Sequence, residues 1–484
     1  MVNLTVRNLT STPLRITHTS RFPTAKPPGP KPITKDNLKD VGNIARNVTH
    51  KVTGLFRRSP ITKVIPQLRQ EPSPKEIAEN AQASEEHDVS VEIGTYSARD
   101  TDFNLDDSTL RLEFEVTEGS GGEAHQVKRF RVDVAPAGGL ELQVFPRGDV
   151  GGTSLVGVFH KNRSHLAIVS NASLDGWMGR LPDNTHLGAL SMPGTHNSPA
   201  CYPALPSVRC QAVGIAEQLQ NGIRFFDIRV QPPDKCGKEL TMVHSAFPIA
   251  LSGPKKLSDA LNEFYRFLDA NRQEVLVISL KREGHGETND ETFSKQVAEE
   301  VVAKSSAHWY VETSIPTLGR ARGRCVLFRR YTLHPDLQKE HGGQGYGVNA
   351  ESWAYNTPNF TTPSQICVQD FCEVMETENI DKKIQYVKEH LERCSTQLAT
   401  AEREQRDPPL FVNFLSASNF WKVNCWPDRI AAKINPAICE FLAVEHKAND
   451  GDADTGIVIC DFVGESHNWT VCRLVVGMNG ALLV

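Results

Sequence analysis

At 484 residues, with 39% apolar and 23% charged residues and a net charge of −5, the chain has a globular composition and is long enough for two domains. Its mild acidity gives no reason to expect a nucleic-acid partner, and no run of roughly 18 apolar residues marks a membrane span. The eleven cysteines form no CxxC pair and no zinc-like spacing with histidine, which points to reduced thiols in a cytoplasmic protein, and nothing in the sequence asks for a cofactor. The opening MVNLTVRNLTSTPLRITHTS lacks a basic stretch followed by an apolar core, so no signal peptide is expected. Sequons at Asn3, Asn8, Asn47, Asn162, Asn171, Asn359 and Asn468 argue only weakly for secretion.

In chain order, Val2, Leu4 and Val6, then Leu14 and Ile16, alternate as strands do. From about 21 to 88 the composition becomes proline-rich and basic, with eleven Lys or Arg and two Asp between Arg21 and Gln70. That is an insertion or linker rather than core. Within it Leu38, Val41, Ile44, Val48, Val52 and Leu55 recur at helical spacing beside Lys39, Arg46, Lys51, Arg57 and Arg58. The pattern fits either a basic amphipathic helix on an anionic membrane or a helix or arm packed on the protein itself. From Val89 to Ser170, short alternating runs such as TLRLEFEVT, QVKRFRVDV and HLAIVS are separated by turns such as EGSGGEAH. With the first two runs they make about eight strands. Residues 1–170 are therefore expected to form an all-β, sandwich-like accessory domain.

The rhythm then changes to strand, polar strand end, helix. Residues 175–484 offer the runs GALSM, RFFDIRV, LTMVHS, EVLVISLK, RCVLFRRY, QICVQDF, LFVNFLSAS and GIVICDFV. Helical patterns such as GIAEQLQNG, LSDALNEFYRFLDANR, ETFSKQVAEEVVAKS, 381–403 and DRIAAKINPAICEFLAV lie between them. Eight parallel strands with helical crossovers predict an α/β fold, a TIM-type (β/α)8 barrel. Only QPPDKCGKE joins the second run to the third, so one crossover helix is missing and the barrel is expected to be irregular. The C-terminal strand ends of such a barrel meet at one mouth. That predicts convergence of His196, Asp227, Arg229, His244, Lys281, Arg329 or Arg330, Asp370, Asn413 and Asp461.

Two histidines at strand ends can divide proton uptake and proton donation. Arg229 lies two residues beyond Asp227, so both side chains leave the same strand face. The guanidinium can meet a phosphoryl group while Asp227 fixes it, or the two can form a structural ion pair. Base, acid and guanidinium around a phosphate describe ribonuclease-like phosphodiester cleavage, in which an adjacent hydroxyl attacks and a cyclic phosphate results.

The stretches PGTHNS, GIRFFDIRV, VHS, VISLK, VQDF and GIVICDFV together resemble the X-type catalytic domain of bacterial-type phosphatidylinositol-specific phospholipase C, over about 175–484. The resemblance implies His196 as general base on the inositol 2-hydroxyl and Asp461 as its orienting carboxylate. It implies His244 as general acid for the diacylglycerol leaving group and Arg229 as stabiliser of charge on phosphorus. Lys281, Asp370 and Arg329 or Arg330 would hold inositol hydroxyls, with Asn413 also at the mouth. Diacylglycerol and inositol 1,2-cyclic phosphate would be the products, and a phosphatidylinositol-containing membrane surface the transient partner.

Asn197 stands where the bacterial pattern has Asp and resembles the calcium-dependent eukaryotic relatives. Those enzymes place acidic residues where this chain has Arg229 and Lys281, so no metal is expected. Cys372 stands where the family commonly stacks a tyrosine on the sugar, with Trp353, Tyr355, Phe371 or Trp421 as replacements. Two alternatives stay open: a barrel acting on another phosphodiester, and a catalytically weakened inositol-lipid-binding protein.

Overall fold

The computed structural model describes residues 2–23, 81–118, 126–135, 142–144, 148–150, 153–171, 173–233, 239–286, 288–447 and 454–482. The amphipathic pattern at 38–55 lies outside them. Among the described residues the N-terminal part holds ten strands: β1 (Val2–Leu9), β2 (Leu14–Phe22), β3 (Glu85–Ile93), β4 (Ser97–Leu105), β5 (Thr109–Glu118), β6 (Gln126–Val134), β7 (Leu142–Val144), β8 (Gly148–Val150), β9 (Thr153–His160) and β10 (His165–Asn171). They form two sheets, one ordered β4-β1-β10-β9-β7 with β8 on β9, the other β3-β2-β5-β6. The strand count exceeds the expected eight, and the insertion is shorter than its composition suggests, because β2 extends to Phe22 and β3 starts at Glu85.

Alternation along the strands explains how these sheets pack. Leu4, Val6, Leu166 and Ile168 face the second sheet and share a core with Ile16, Leu112 and Phe114. Ala167 and Val169, which alternate with Leu166 and Ile168, join a different core made with the helices of the C-terminal part. The apolar run of β10 is therefore covered on both faces. Arg7 ties the two parts together. Its buried guanidinium donates to the carbonyls of Leu442 (3.2 Å) and Ala443 (3.0 Å), and to that of His446. Gly477 lets the last helix approach β10, since a Cβ there would lie 2.8 Å from that of Val169.

The C-terminal strands are β11 (Met192–Thr195), β12 (Phe225–Gln231), β13 (Thr241–His244), β14 (Phe247–Pro248), β15 (Lys255–Lys256), β16 (Leu276–Arg282), β17 (Trp309–Tyr310), β18 (Cys325–Arg330), β19 (Val348–Asn349), β20 (Thr357–Thr361), β21 (Ile366–Asp370), β22 (Leu410–Phe414) and β23 (Ile457–Cys460). The sheet runs β17-β18-β16-β12-β11-β23-β22-β21-β20. From β18 to β21 all neighbours on this path are parallel. Among the described residues the α-helices longer than one turn are α1 (Ile215–Gln220), α2 (Leu257–Ala270), α3 (Asp290–Gln296), α4 (Asn379–Arg403), α5 (Pro427–Glu440) and α6 (Thr470–Gly477). This is a mixed α/β fold.

One expectation is corrected. The third run, LTMVHS, is not a parallel strand: β13 pairs antiparallel with the end of β12, through Val230 with Met242 and Gln231 with Thr241. The short connection explains this, since a hairpin needs few residues and a parallel return needs a crossover of a dozen or more. The sheet nevertheless rolls around one interior. Phe225, Val277, Phe328, Val348, Ile366, Val412 and Ile459, from strands near both ends of the path, belong to one buried cluster. Among the described residues, no strand pairing joins β18 or β19 to β20 or β21.

The floor of this interior is fixed by a buried ion pair. Arg224 Nε lies 2.8 Å from Glu274 Oε2, with the side chains 0% and 1% exposed. The remaining guanidinium nitrogens donate to the carbonyls of Leu219, Ile223, Leu174 and Asp175. Removing one partner leaves the other charge buried. Arg224→Met is expected to lower the unfolding free energy in urea by about 3–5 kcal/mol; a loss under about 1 kcal/mol would contradict this role.

Candidate active site

The residues at the mouth continue the inward alternation of their strands. Met192 and Gly194 lead to His196; Phe225 leads to Asp227 and Arg229. Val277 leads to Lys281, Phe328 to Arg330, Val368 to Asp370 and Ile459 to Asp461. Pairing aligns three of them on one rung, with Arg229 opposite Lys281 and Lys281 opposite Arg330. Gly194 in the PGTH stretch allows the close approach of β11 and β12, as a Cβ there would sit 2.9 Å from that of Phe225. The residues that follow His196, His244 and Asp461 are Asn197, Ser245 and Phe462, with φ of 39°, 53° and 48°. Such left-handed turns at non-glycine residues cost about 1–3 kcal/mol each and cluster at functional sites.

These elements surround a cavity of about 670 Å3, lined by His196, Arg229, His244, Lys281, Glu283, Arg330, Trp353, Asp370 and Cys372, among others. His196 Nδ1 is 2.8 Å from Asp461 Oδ1. A proton on Nδ1 donated to the carboxylate leaves Nε2 free to accept one. Gln211 Nε2 holds the backbone behind this pair by donating to the carbonyls of His196 (2.6 Å) and Cys460 (3.0 Å). The His196 and His244 rings meet edge to face with centroids 5.4 Å apart. His244 Nδ1 lies 3.0 Å from the Val208 carbonyl and 3.5 Å from Cys210 Sγ. Burial, reinforced by the Arg229 charge, holds His196 well below the usual histidine range and His244 down to about 4. Both imidazoles are neutral at rest.

Arg229 is clamped. Its Nε donates to Asp227 Oδ2 at 3.0 Å and its Nη1 to Glu283 Oε1 at 3.1 Å. Burial works against its charge, but Asp227 and Glu283 outweigh that and hold it above its ordinary value. Glu283 also accepts from Lys281 Nζ (2.6 Å) and from the Ser245 backbone N–H (2.9 Å), so it ties guanidinium, lysine and the loop after His244 together. Burial alone would raise its carboxyl, yet Arg229 and Lys281 bring it down to about 2. Arg330 stacks on Trp353 at 3.6 Å from the ring centroid, and Trp353 Nε1 donates to Asp370 Oδ2 at 3.3 Å.

Asp227, Asn197 and Asp461 are buried behind the cavity wall, not on it. Asn197 contributes its backbone N–H to Asp227 Oδ2 at 3.1 Å. Arg229 and Arg330, the latter 3.5 Å from Asp227 Oδ1, occupy the surroundings of that carboxylate, so it is not free for a hard cation. Two candidates fall away from the site. Arg329 has the outward parity and donates to Glu351 Oε2 and the Tyr331 carbonyl, both at 2.8 Å. Asn413 is fully buried, accepting from Gln369 Nε2 (2.8 Å) and donating to the Val387 carbonyl on α4 (3.0 Å). Trp353, Tyr355 and Trp421 line the cavity; Phe371 instead packs on Tyr386, with centroids 5.2 Å apart. Glu283 is not among the residues the sequence singles out, although its i+2 spacing from Lys281 repeats that of Asp227 and Arg229.

Residues 191–331 match the family model described as "Phosphatidylinositol-specific phospholipase C, X domain". Among curated proteins, the chain is 26% identical over 316 residues to the 1-phosphatidylinositol phosphodiesterase of Staphylococcus aureus (strain Newman), covering 63% of this chain and 93% of that one. It is 25% identical over 313 residues to the enzyme of the same name from Listeria monocytogenes, covering 62% of this chain and 85% of that one. A solved structure of the S. aureus phosphatidylinositol-specific phospholipase C aligns with TM-score 0.50 and 24% identity, covering 63% of this chain and 97% of that one, a likeness of fold. Over residues 191–331 the chain is thus similar to the X domain of phosphatidylinositol-specific phospholipase C.

Proposed function

We propose that the protein is a phosphodiesterase that cleaves phosphatidylinositol to diacylglycerol and inositol 1,2-cyclic phosphate. The observation that carries this reading is the joining of an Asp461–His196 pair, His244 and a clamped Arg229 in one cavity. His196 Nε2 takes the proton of the inositol 2-hydroxyl, whose oxygen attacks phosphorus. Arg229 meets the charge that grows on the phosphoryl oxygens, where a preorganised guanidinium works in a low dielectric. The anionic substrate offsets the Arg229 charge that disfavours an imidazolium, so His244 gains a proton and gives it to the glycerol oxygen. Lys281, Arg330 and Asp370 face the volume left for the inositol ring. The Val208 carbonyl supplies a fixed partner for His244 Nδ1. The finer fold description, an irregular TIM barrel with seven parallel strands from β18 to β21 and a hairpin in place of the eighth, belongs to the same proposal.

The rim supports a lipid substrate. Trp421, Tyr355, Met375 and Val423 are strongly exposed apolar side chains, and Phe247 stacks on Phe420, which packs on Trp421. Four of these, Tyr355, Met375, Phe420 and Trp421, line the cavity itself, so the patch and the site share one opening. Contact at the surface through this patch is the proposed mode, in a peripheral, cytoplasmic setting; among the described residues no helix is long and apolar enough to cross a membrane. Trp421→Ala is expected to weaken binding to phosphatidylinositol vesicles about tenfold, the effect of no longer moving one exposed indole from water into the lipid surface; unchanged sedimentation with vesicles would contradict this. The reaction itself is tested by diacylglycerol release from mixed micelles with EDTA present. Release from phosphatidylinositol and none from phosphatidylcholine is expected; no release from phosphatidylinositol would overturn the reading.

A further inference from the structure

Cys210 is a buried thiol that the proposed reaction does not use, and it sits against the reacting pair. Its Sγ is 3.5 Å from His244 Nδ1 and 3.4 Å from the Val208 carbonyl. One ligand atom each from His196, Cys210 and His244 lies within 4.8 Å of the other two. This is the only such His, Cys, Asp or Glu trio among the described residues. We propose that these residues form a site for a soft divalent cation, zinc above all, whose occupancy shuts the enzyme.

The chemistry of the donors argues for this choice. Two imidazoles and a thiolate suit zinc, while calcium and magnesium want oxygen ligands. Zinc–nitrogen bonds of about 2.0–2.1 Å and zinc–sulfur bonds of about 2.3 Å put tetrahedral donors about 3.3–3.7 Å apart. Side-chain rotation closes the remaining distance. Asp461 already holds Nδ1 of His196, the carboxylate–histidine arrangement that orients and strengthens a metal-bound imidazole. Zinc displaces one proton from the Cys210 thiol to solvent, and both imidazoles coordinate as neutral ligands. Arg229 and Lys281 oppose the incoming charge, and Asp461 and Glu283 offset them. The cation enters through the cavity, which His196 and His244 line, and leaves its fourth position to solvent. It is an inhibitor here and not a cofactor, because it takes the lone pair that the base needs and immobilises the acid. Binding stands apart from the proposed reaction; only the loss of turnover rests on it.

The test is a cobalt titration of the reduced full chain after EDTA treatment and desalting. Cobalt at one equivalent is expected to give a thiolate-to-metal charge-transfer band with tetrahedral ligand-field absorption, bleached by one equivalent of zinc and untouched by calcium. Cys210→Ser should lose the charge-transfer band and bind zinc about tenfold or more weakly. Zinc inhibition, measured against each protein's own zinc-free rate and reversed by EDTA, should weaken in parallel. A melting curve checks that the variant folds; if it does not, Cys210→Ala gives the same readouts. A band that persists in Cys210→Ser, placing cobalt on other thiols, or weak octahedral absorption without charge transfer, would overturn the proposal. Cobalt binding as described in a protein that releases no diacylglycerol would uphold the metal site and reject the reaction.

Discussion

His196→Ala is expected to slow diacylglycerol release from phosphatidylinositol by about 10⁴-fold, the upper end of what a positioned general base contributes. The high value follows from the geometry. The ring is held by Asp461 at 2.8 Å and by a backbone pinned through Gln211, and it is neutral at rest, so no energy goes into deprotonating it first. Among the described residues the only other imidazole lining the cavity is that of His244, which the same mechanism uses as the acid at the leaving group. His244→Ala should cost a comparable factor with the natural lipid. It should cost much less with a substrate whose leaving group needs no proton, such as an inositol phosphodiester with a nitrophenolate leaving group. That difference separates base from acid. Equal losses on both substrates would contradict the assignment, as would a retained rate in His196→Ala.

Arg229→Lys is expected to cost about 10³-fold, near the upper limit for one preorganised donor to a developing oxyanion. The charge is retained, but the planar fork that meets Asp227, Glu283 and a phosphoryl group is lost. Arg229→Gln goes further by removing the charge, with a signature in pH. A neighbouring cation disfavours the imidazolium, so its removal raises the pKa of both His196 and His244. In the wild type His244 titrates near 4; in Arg229→Gln its midpoint moves upward, followed by imidazole resonances in a pH titration. Unchanged midpoints would show that burial alone sets these values. The comparison with Lys also guards against misfolding, because Gln leaves Asp227 and Glu283 short of a countercharge.

Much of this arrangement is legible in the sequence because parallel strands buried on both faces are written as apolar runs, and the polar residues that end them stand out. The runs ending in His196, Arg229, Lys281, Asp370 and Asp461 all read this way. The choice between Arg329 and Arg330 was open, yet parity decides it: Arg330 shares the face of Val326 and Phe328, which fill the interior, and Arg329 does not. The same rule places Asn413 among the helices, opposite in parity to Val412 and Phe414. Other features depend on tertiary folding. Glu283 lies beyond the end of β16 in a loop, and its role comes from Arg229 and Ser245, distant in sequence. Cys210 reaches His244 only because the segment after β11 folds back over the site. The antiparallel hairpin at β13 has a signal, the short QPPDKCGKE connection, whose consequence is direction as well as a missing helix.

The most direct measurement is a phosphorus NMR time course of purified protein with phosphatidylinositol in mixed micelles and EDTA present. The account predicts growth of the inositol 1,2-cyclic phosphate resonance at the expense of the lipid, and no growth in His196→Ala or His244→Ala. A resonance that appears only when calcium replaces EDTA, or an acyclic inositol phosphate formed without the cyclic species, would contradict it.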